Sequence, residues 1–113
     1  MSASTVLTLD EVEALSHRML TSSGASALQA GATARSIREA EADGIRTVGL
    51  SYLPTYCEHL RVGKVVGDAV PAVATPRPAV VAVDAHHGFA HPAFEAGAPA
   101  LVAAARTCGV GLM

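Results

Sequence analysis

Three prolines close together divide this chain into two parts. Pro71, Pro76 and Pro78 each lack a backbone N–H donor and fix φ, so no regular helix can run through this stretch. The sequence predicts an extended, Pro-containing connection over 65–78. A helical segment over 1–64 precedes it, and a strand–helix–strand unit over 79–113 follows it. Together these segments are predicted to form one domain, because 113 residues can enclose only one modest core. We expect this domain to be incomplete.

The segment 1–64 carries the signals of three helices and a corner. A capping-box spacing begins at Thr8 and a similar one at Ser26, and each precedes a stretch of helix formers. Glycines then bracket a turn that includes Gly49. Pro54 suits the first turn of a third, short helix. The sequence therefore predicts two longer helices, a corner and a short helix.

The segment 79–113 has a different pattern. The run AVVAVD over 79–84 is apolar and β-branched, which predicts a largely buried strand. A helical pattern opens at Pro92, and Gly97 with Pro99 predicts a kink or two short helices there. The final VGLM resembles the opening of a second strand. Two strands make a marginal sheet in water, so the predicted class is α/β with a sheet completed by another chain.

Charge and hydropathy exclude several kinds of partner. The net charge is −2 and the basic residues are scattered, so no footprint for nucleic acid or an anionic membrane surface is present. No apolar run approaches the length of a membrane span and no export signal is visible, which predicts a cytoplasmic protein with Cys57 and Cys108 reduced. Half of the chain is apolar and the mean hydropathy is +0.36, which favours contact with another chain.

Histidines are the residues best suited to chemistry. The stretch HHGFAH holds His87 and His91, but Gly88 and Pro92 interrupt the turn that would bring them together, so no metal site is predicted. His59 lies alone on the third helix. A histidine at the mouth of a pocket can act as a general acid near neutral pH. The late G-V-G lacks the strand-to-helix context of a dinucleotide fingerprint, so no cofactor-binding residue is predicted.

Two long stretches resemble a known family. ADGIRTVGLSYLPTYCEHLRVGKV and AVVAVDAHHGFAHPAFEAGAPALVAAARTCGVGLM resemble the N-terminal part of the malate/L-lactate dehydrogenase-like NAD(P)H oxidoreductases. Within that family, the VDA-x-x-GFA-x-PA pattern is most similar to the Δ1-piperideine-2-carboxylate/Δ1-pyrroline-2-carboxylate reductases. The resemblance extends over nearly the whole chain.

The resemblance also exposes a change at the corner. Family members read S-H-G-V-x-R-x-P-x-Y, where the histidine is expected to donate a proton and the arginine to hold the substrate carboxylate. This chain has Thr47, Val48, Gly49 and Tyr52 at the serine, histidine, glycine and arginine positions. Valine cannot transfer a proton, and tyrosine offers one neutral hydroxyl in place of a guanidinium. The resemblance implies that these four residues border a substrate pocket whose acid and anion clamp are gone.

The resemblance implies two readings of function. In the first, the chain is the small subunit of a split reductase for a cyclic imino acid or 2-oxo acid. NADPH or NADH is then bound by a partner chain, and His87, His91 or His59 replaces the lost donor. In the second, it is a catalytically silent assembly or regulatory module that associates with itself or with an intact reductase. Recruitment for non-redox chemistry on a small molecule also stays open.

Overall fold

The protein is described by a computed structural model over residues 3–113, and it has a mixed α/β architecture. Four helices accompany a two-stranded antiparallel sheet, so the predicted α/β class is confirmed at that level. Two 3₁₀ turns connect the second and third helices. In chain order the elements are α1 (Leu9–Ser22), α2 (Ala27–Ala42), α3 (Leu53–Arg61), β1 (Ala72–Arg77), β2 (Val80–Asp84) and α4 (Ala90–Cys108).

The three predicted N-terminal helices are confirmed. Thr8 Oγ1 accepts a hydrogen bond from Glu11 N, and the Glu11 carboxylate accepts one from Thr8 N, both at 3.1 Å, which completes the capping box of α1. Ser26 Oγ accepts from the amide three residues later and starts α2. Pro54 lies in the first turn of α3. These helices pack on one core, whose buried members include Val12, Leu20, Ala30, Ile37, Leu53, Cys57 and Leu60.

The sheet contains a strand that the sequence did not predict. Within the stretch expected to be an extended connection, Ala72–Arg77 form β1 and pair with β2, from Ala72 opposite Asp84 to Arg77 opposite Val80. The register shifts between Ala74 and Arg77, where Pro76 has no N–H to donate to the ladder. Strand β1 is stabilised by its pairing with β2, which the local sequence of β1 does not indicate.

The predicted strand over 79–84 is confirmed as β2, but the prediction that it is largely buried was wrong. Val81 is the one residue of β2 that is buried, and all six residues of β1 are exposed. Helix α4 covers one face of this ribbon, and no element within residues 3–113 covers the other. Leu112 extends the sheet by a single parallel bridge to Val80, with Val81 N to Leu112 O and Leu112 N to Ala79 O each 2.7 Å.

Helix α4 is continuous from Ala90 to Cys108, so the predicted division into two short helices was wrong. Pro99 lies inside the helix with an exposed side chain, and the flanking turns are held by the packed inner face of α4. Gly97 permits that close packing, because a Cβ there would lie 2.6 Å from Val83 Cγ2 and 2.5 Å from Met113 Sδ. None of the helices in the described part of the chain has both the length and the apolar character needed to span a membrane.

The folded chain exposes more surface than its mass requires. Its accessible surface is 6980 Å², whereas a compact protein of 11.4 kDa exposes about 5,800 Å². The radius of gyration is 15.9 Å, against about 13 Å for a compact domain of this length. The exposed residues before α1 contribute to this excess, and so do the open sheet and one face of α4. The molecule therefore has surface available for a partner.

Candidate functional site

The corner between α2 and α3 is held by a partly buried contact with Glu41. Gly49 separates the two 3₁₀ turns, Arg46–Val48 and Leu50–Tyr52. Glu41, in the last turn of α2, accepts a hydrogen bond from Leu50 N at 2.7 Å. Its Oε1 would lie only 2.2 Å from a Cβ at position 49, so the carboxylate occupies the space that a side chain would need. Glu41 thus shapes the corner, a role that its sequence position did not indicate.

The four residues predicted to border a substrate pocket all lie at this corner. The side chains of Thr47, Val48 and Tyr52 are exposed, while Gly49 is buried against α2. Exposure leaves the valine and tyrosine side chains free to contact a ligand or a partner. The two positions at which the resemblance predicts a proton donor and an anion clamp in family members therefore face outward here.

Aromatic contacts connect the corner to His91. Tyr52 packs edge-to-face on Tyr56 with 4.7 Å between ring centroids. Tyr56 in turn packs edge-to-face on Phe89 at 5.4 Å and on His91 at 5.7 Å. We call these four residues the aromatic array. Through Tyr56, the array connects one of the three predicted catalytic histidines with Tyr52 of the predicted substrate-binding corner.

The other two histidines lie elsewhere. His87 is exposed in the loop after β2, with a φ of 64°, and its carbonyl oxygen accepts from Val66 N. His59 is half-buried on α3, and its carbonyl oxygen accepts from Val65 N. Within residues 3–113 neither imidazole packs on the aromatic array. Nor does any group of three or more His, Cys, Asp or Glu side chains in this range form a cluster suited to a metal ion.

The environment of His91 favours a neutral imidazole. Burial lowers the pKa of His91 below its usual value, and the nearby Glu95 carboxylate opposes that shift only in part. Nδ1 is buried without a hydrogen-bond partner in the described chain, whereas Nε2 is not buried in this way. An unpaired acceptor costs less than an unpaired donor, so we assign the proton to Nε2. His91 therefore presents an N–H at its accessible edge.

His91 also lines a groove between α2 and α4. The two helices run side by side in the same direction, because Gln29 contacts Phe89 and Arg35 contacts Glu95 with the same sequence offset of 60. The groove has a volume of about 420 Å³, and its other lining residues include Ala32, Ser36, Glu39 and Phe94. This volume falls within the range of small-molecule sites.

The Arg35–Glu95 ion pair closes one side of the groove. Arg35 Nε donates to Glu95 Oε1 at 3.0 Å and Nη2 donates to Oε2 at 2.7 Å. These bonds lower the pKa of Glu95 and raise that of Arg35. Both side chains are about half exposed, so the pair contributes little stability. Its bidentate geometry instead fixes the relative position of α2 and α4 next to His91.

Gln29 fixes the start of α4 from within the core. Its side chain is fully buried, its Nε2 donates to Ala69 O at 2.7 Å, and its Oε1 accepts from Phe89 N at 2.8 Å. Phe89 is the N-cap of α4 and a member of the aromatic array. The amide of Gln29 thereby positions both the array and the first turn that carries His91. Its sequence signal, a capping partner for Ser26, gave no sign of this role.

The loop before α4 and the first turn of that helix do not fit a nicotinamide dinucleotide. The loop over residues 85–89 leads from β2 into α4 and contains Gly88, but a Cβ on that glycine would lie 2.7 Å from Gln29 Nε2. The amide of Phe89 already donates to Gln29. A pyrophosphate needs an open glycine face and free amide donors at the helix start. We therefore assign no redox step to this chain alone.

Comparison with known proteins defines the class to which this fold and corner belong. Residues 7–113 match the family described as malate/L-lactate dehydrogenase. The chain belongs to the malate/L-lactate dehydrogenase family, and the resemblance seen in the sequence is confirmed.

The chain is similar to several individual members of that family. It is 45% identical over 107 residues to a Δ1-pyrroline-2-carboxylate reductase of Ancylobacter novellus, covering 95% of this chain and 31% of the relative. It is 39% identical to a (2R)-3-sulfolactate dehydrogenase (NADP(+)) of Chromohalobacter salexigens, covering 95% of this chain and 32% of the relative. The crystal structure of Δ1-piperideine-2-carboxylate reductase from Pseudomonas syringae pv. tomato matches with a TM-score of 0.91 and 34% identity, covering 96% of this chain and 33% of that one. The chain spans about a third of the length of the curated relatives it matches.

The protonation of His91 gives a first prediction. Since the folded-state pKa of His91 is lowered, we expect its NMR titration midpoint to lie below 6.5. The unfolded chain then binds a proton that the folded chain resists, so the free energy of unfolding should fall as pH falls from about 6.5 through the folded-state pKa. The lowered pKa of Glu95 has the same sign, but it acts below about 4.5. A His91→Gln variant identifies the NMR signal of His91. Its free energy of unfolding should no longer fall between about pH 6.5 and the folded-state pKa of His91. A midpoint at or above 6.5 would contradict the geometry described for the ring.

A second prediction concerns the corner. Gly49→Ala should lower the free energy of unfolding by about 1 kcal/mol, because the new Cβ displaces the Glu41 carboxylate and breaks its bond to Leu50 N. In a Glu41→Ala background the same substitution should cost much less. A double-mutant cycle by urea unfolding measures the difference. Additive effects of the two substitutions would show that Glu41 does not constrain position 49.

Proposed function

We propose that this chain lines the substrate pocket of an NAD(P)H-dependent reductase for a cyclic imino acid or 2-oxo acid, and that a partner polypeptide binds the cofactor. The observation that carries the proposal is the match of 96% of this chain to 33% of a Δ1-piperideine-2-carboxylate reductase. In this proposal the cofactor-binding part of the enzyme belongs to the partner polypeptide. The excess surface of the folded chain supports such a contact.

His91 is the proposed replacement for the missing proton donor. Of the three histidines predicted from the sequence, it is the one that packs on Tyr56, the ring that also contacts Tyr52. Its ring lines the groove between α2 and α4. In the assembled enzyme, Thr47, Val48 and Tyr52 border the substrate, and His91 supplies a proton to the nitrogen or oxygen of the reduced bond.

A second candidate is a catalytically silent assembly or regulatory module of the same family. The observation that favours it is the pair of changes at the corner, Val48 and Tyr52, where family members have a donor and an anion clamp. Such a chain would associate with itself or with an intact reductase. It would tune assembly without contacting a reacting atom.

Reductase assays separate the two candidates. The chain is purified from its native cells with whatever accompanies it, and is assayed with Δ1-pyrroline-2-carboxylate and with NADPH or NADH. The split-reductase proposal predicts turnover by the native assembly and none by this chain alone. If the native assembly is inactive and a Val48→His, Tyr52→Arg double variant makes it active, the silent-module alternative is correct. Turnover by the purified chain alone would contradict both.

A further inference from the structure

The groove between α2 and α4 has one permanent positive charge among the residues that line it within 3–113, the Arg35 guanidinium. A guanidinium presents two parallel N–H donors, an arrangement that matches the two oxygens of a carboxylate. In this structure the Glu95 carboxylate accepts both bonds, at 3.0 and 2.7 Å. The donors of Arg35 are therefore already oriented to receive a carboxylate beside the groove.

The contact between Arg35 and Glu95 is one that a ligand can replace. The two side chains are 52% and 45% exposed, and an ion pair exposed to this extent contributes at most about 1 kcal/mol to stability. A ligand that enters the groove excludes water, which strengthens its own contact with the guanidinium. Exchange of Glu95 for a ligand carboxylate therefore costs little and leaves Arg35 paired.

Release of Glu95 changes the charge beside His91. The two residues are four positions apart on α4, so they lie on the same face of the helix. Burial lowers the pKa of His91, and the Glu95 carboxylate opposes that shift. While Glu95 is bound to Arg35, the positive charge of the guanidinium cancels part of this effect. A Glu95 carboxylate that is released from Arg35 therefore stabilises the imidazolium form of His91.

We propose that Arg35 binds the carboxylate of the substrate, a small cyclic imino acid or 2-oxo acid, and that the displaced Glu95 then stabilises a proton on His91. This inference rests on the proposed function for the identity of the ligand. It adds the residue that binds the carboxylate, in place of the arginine that the corner lacks at Tyr52. It also makes Glu95 a positioning residue, which couples substrate binding to protonation of the donor.

The charges along the groove favour a monocarboxylate over a phosphate. The lining has one positive charge, on Arg35, and two negative charges, on Glu39 and Glu95. Binding of a monoanion together with uptake of a proton by His91 leaves the total charge unchanged. A phosphate dianion would add negative charge that one guanidinium cannot balance. The rest of the lining is mostly apolar and suits the small ring or chain that carries the carboxylate.

The other groups around His91 do not change on binding. Tyr56 on α3 packs on its ring with 5.7 Å between centroids, and burial raises the pKa of Tyr56, so the phenol stays neutral. Glu39 lines the groove from α2, but within residues 3–113 it forms no ion pair with Arg35. Its charge is therefore the same before and after ligand binding. The exchange at Arg35 is the event that alters the electrostatic environment of His91.

Binding of pyrrole-2-carboxylate to the native assembly tests the proposal without catalysis. This planar analogue has the carboxylate but no C=N bond to reduce. Titration calorimetry without cofactor should show that Arg35→Gln weakens binding by about tenfold or more, the scale of a lost charge-assisted hydrogen bond. Arg61→Gln is the matched control, because Arg61 is a similarly exposed arginine paired with Glu58 on α3, and it should leave the Kd unchanged. Uncharged pyrrole-2-carboxamide should not distinguish wild type from Arg35→Gln.

A Glu95→Gln variant separates the binding role from the coupling. The amide competes less for Arg35, so the analogue should bind at least as tightly as it binds wild type. In wild type, a higher pKa of His91 in the complex means that binding takes up protons, so the Kd should fall as pH falls through about 6.5, by up to about tenfold per pH unit. Calorimetry at about pH 6 in two buffers of different ionisation enthalpy measures the uptake. Glu95→Gln and His91→Phe should each lose most of it.

Melting temperatures check that each variant folds. Arg35→Lys keeps the charge but loses the paired donors, so its Kd should lie between those of wild type and Arg35→Gln. The inference would be overturned by equal Kd values for wild type and Arg35→Gln, or by the lack of any binding. It would also be overturned if Glu95→Gln weakened binding as much as Arg35→Gln, since the pair would then only hold the two helices together.

Activity distinguishes this inference from the proposed function. If the native assembly reduces Δ1-pyrroline-2-carboxylate and Arg35→Gln leaves the KM unchanged, the carboxylate site is refuted and the proposed function stands. If the assembly is inactive but binds the analogue with the expected dependence on Arg35 and Glu95, the proposed function is refuted and the carboxylate site stands.

Discussion

Replacing Gln29 with leucine should lower the free energy of unfolding by about 3 kcal/mol. The side chain of Gln29 is fully buried and satisfies two backbone groups, the carbonyl of Ala69 and the amide of Phe89. Leucine matches glutamine closely in size but leaves both groups buried and unpaired, each at a cost of about 1–3 kcal/mol. The apolar gain from leucine offsets part of that loss. Urea unfolding followed by circular dichroism measures the change.

Two variants control for this effect. Leu28→Ala alters the neighbouring position, which is 46% exposed, and should change stability by less than about 1 kcal/mol. Gln29→Glu keeps an acceptor for Phe89 N but loses the donor to Ala69 and buries a carboxylate, so it should also be destabilising. A loss below about 1 kcal/mol for Gln29→Leu would show that another group satisfies the start of α4.

Replacing His91 with phenylalanine should lower kcat of the assembled reductase by about a hundredfold, the usual scale for removing a general acid. Phenylalanine preserves the edge-to-face packing on Tyr56, so the array should survive. Because burial lowers the pKa of His91, the imidazolium form is a minor species at neutral pH. The wild-type rate should therefore rise as pH falls below about 6.5, and the variant should lose that dependence.

The other two histidines give matched controls for the same assay. His87→Asn and His59→Gln should each change kcat by less than about threefold, since neither imidazole packs on the aromatic array. A loss confined to the apparent substrate affinity of His91→Phe, with kcat unchanged, would make His91 a binding residue. A hundredfold loss of kcat in His87→Asn or His59→Gln would identify that histidine as the proton donor.

Local sequence signals were sufficient for the helices and insufficient for the sheet. The starts of α1 and α2 follow from hydroxyl caps at Thr8 and Ser26, whose partners lie three residues away. Strand β1 has no such signal, because its residues are all exposed and include Pro76. Its conformation depends on pairing with β2. Pro99 and Gly97 wrongly favoured a division of α4, because the helix continues through both residues.

Part of the candidate site could also be predicted from the sequence, and part could not. The corner residues could be identified from their resemblance to the family, including the two changed positions, Val48 and Tyr52. The roles of Gln29 and Glu41 could not, because their hydrogen bonds join residues that are 9, 40 or 60 positions apart. His91 was one of three equal candidates in the sequence. Its contact with Tyr56 distinguishes it, and that contact exists only in the folded chain.

The central claim is that this chain functions as part of a larger reductase assembly. Native mass spectrometry of the protein purified from its own cells, without denaturation, tests this directly. We expect one copy of the 11.4 kDa chain bound to a longer polypeptide of the same family. A stable, folded 11.4 kDa monomer as the sole native species would contradict it.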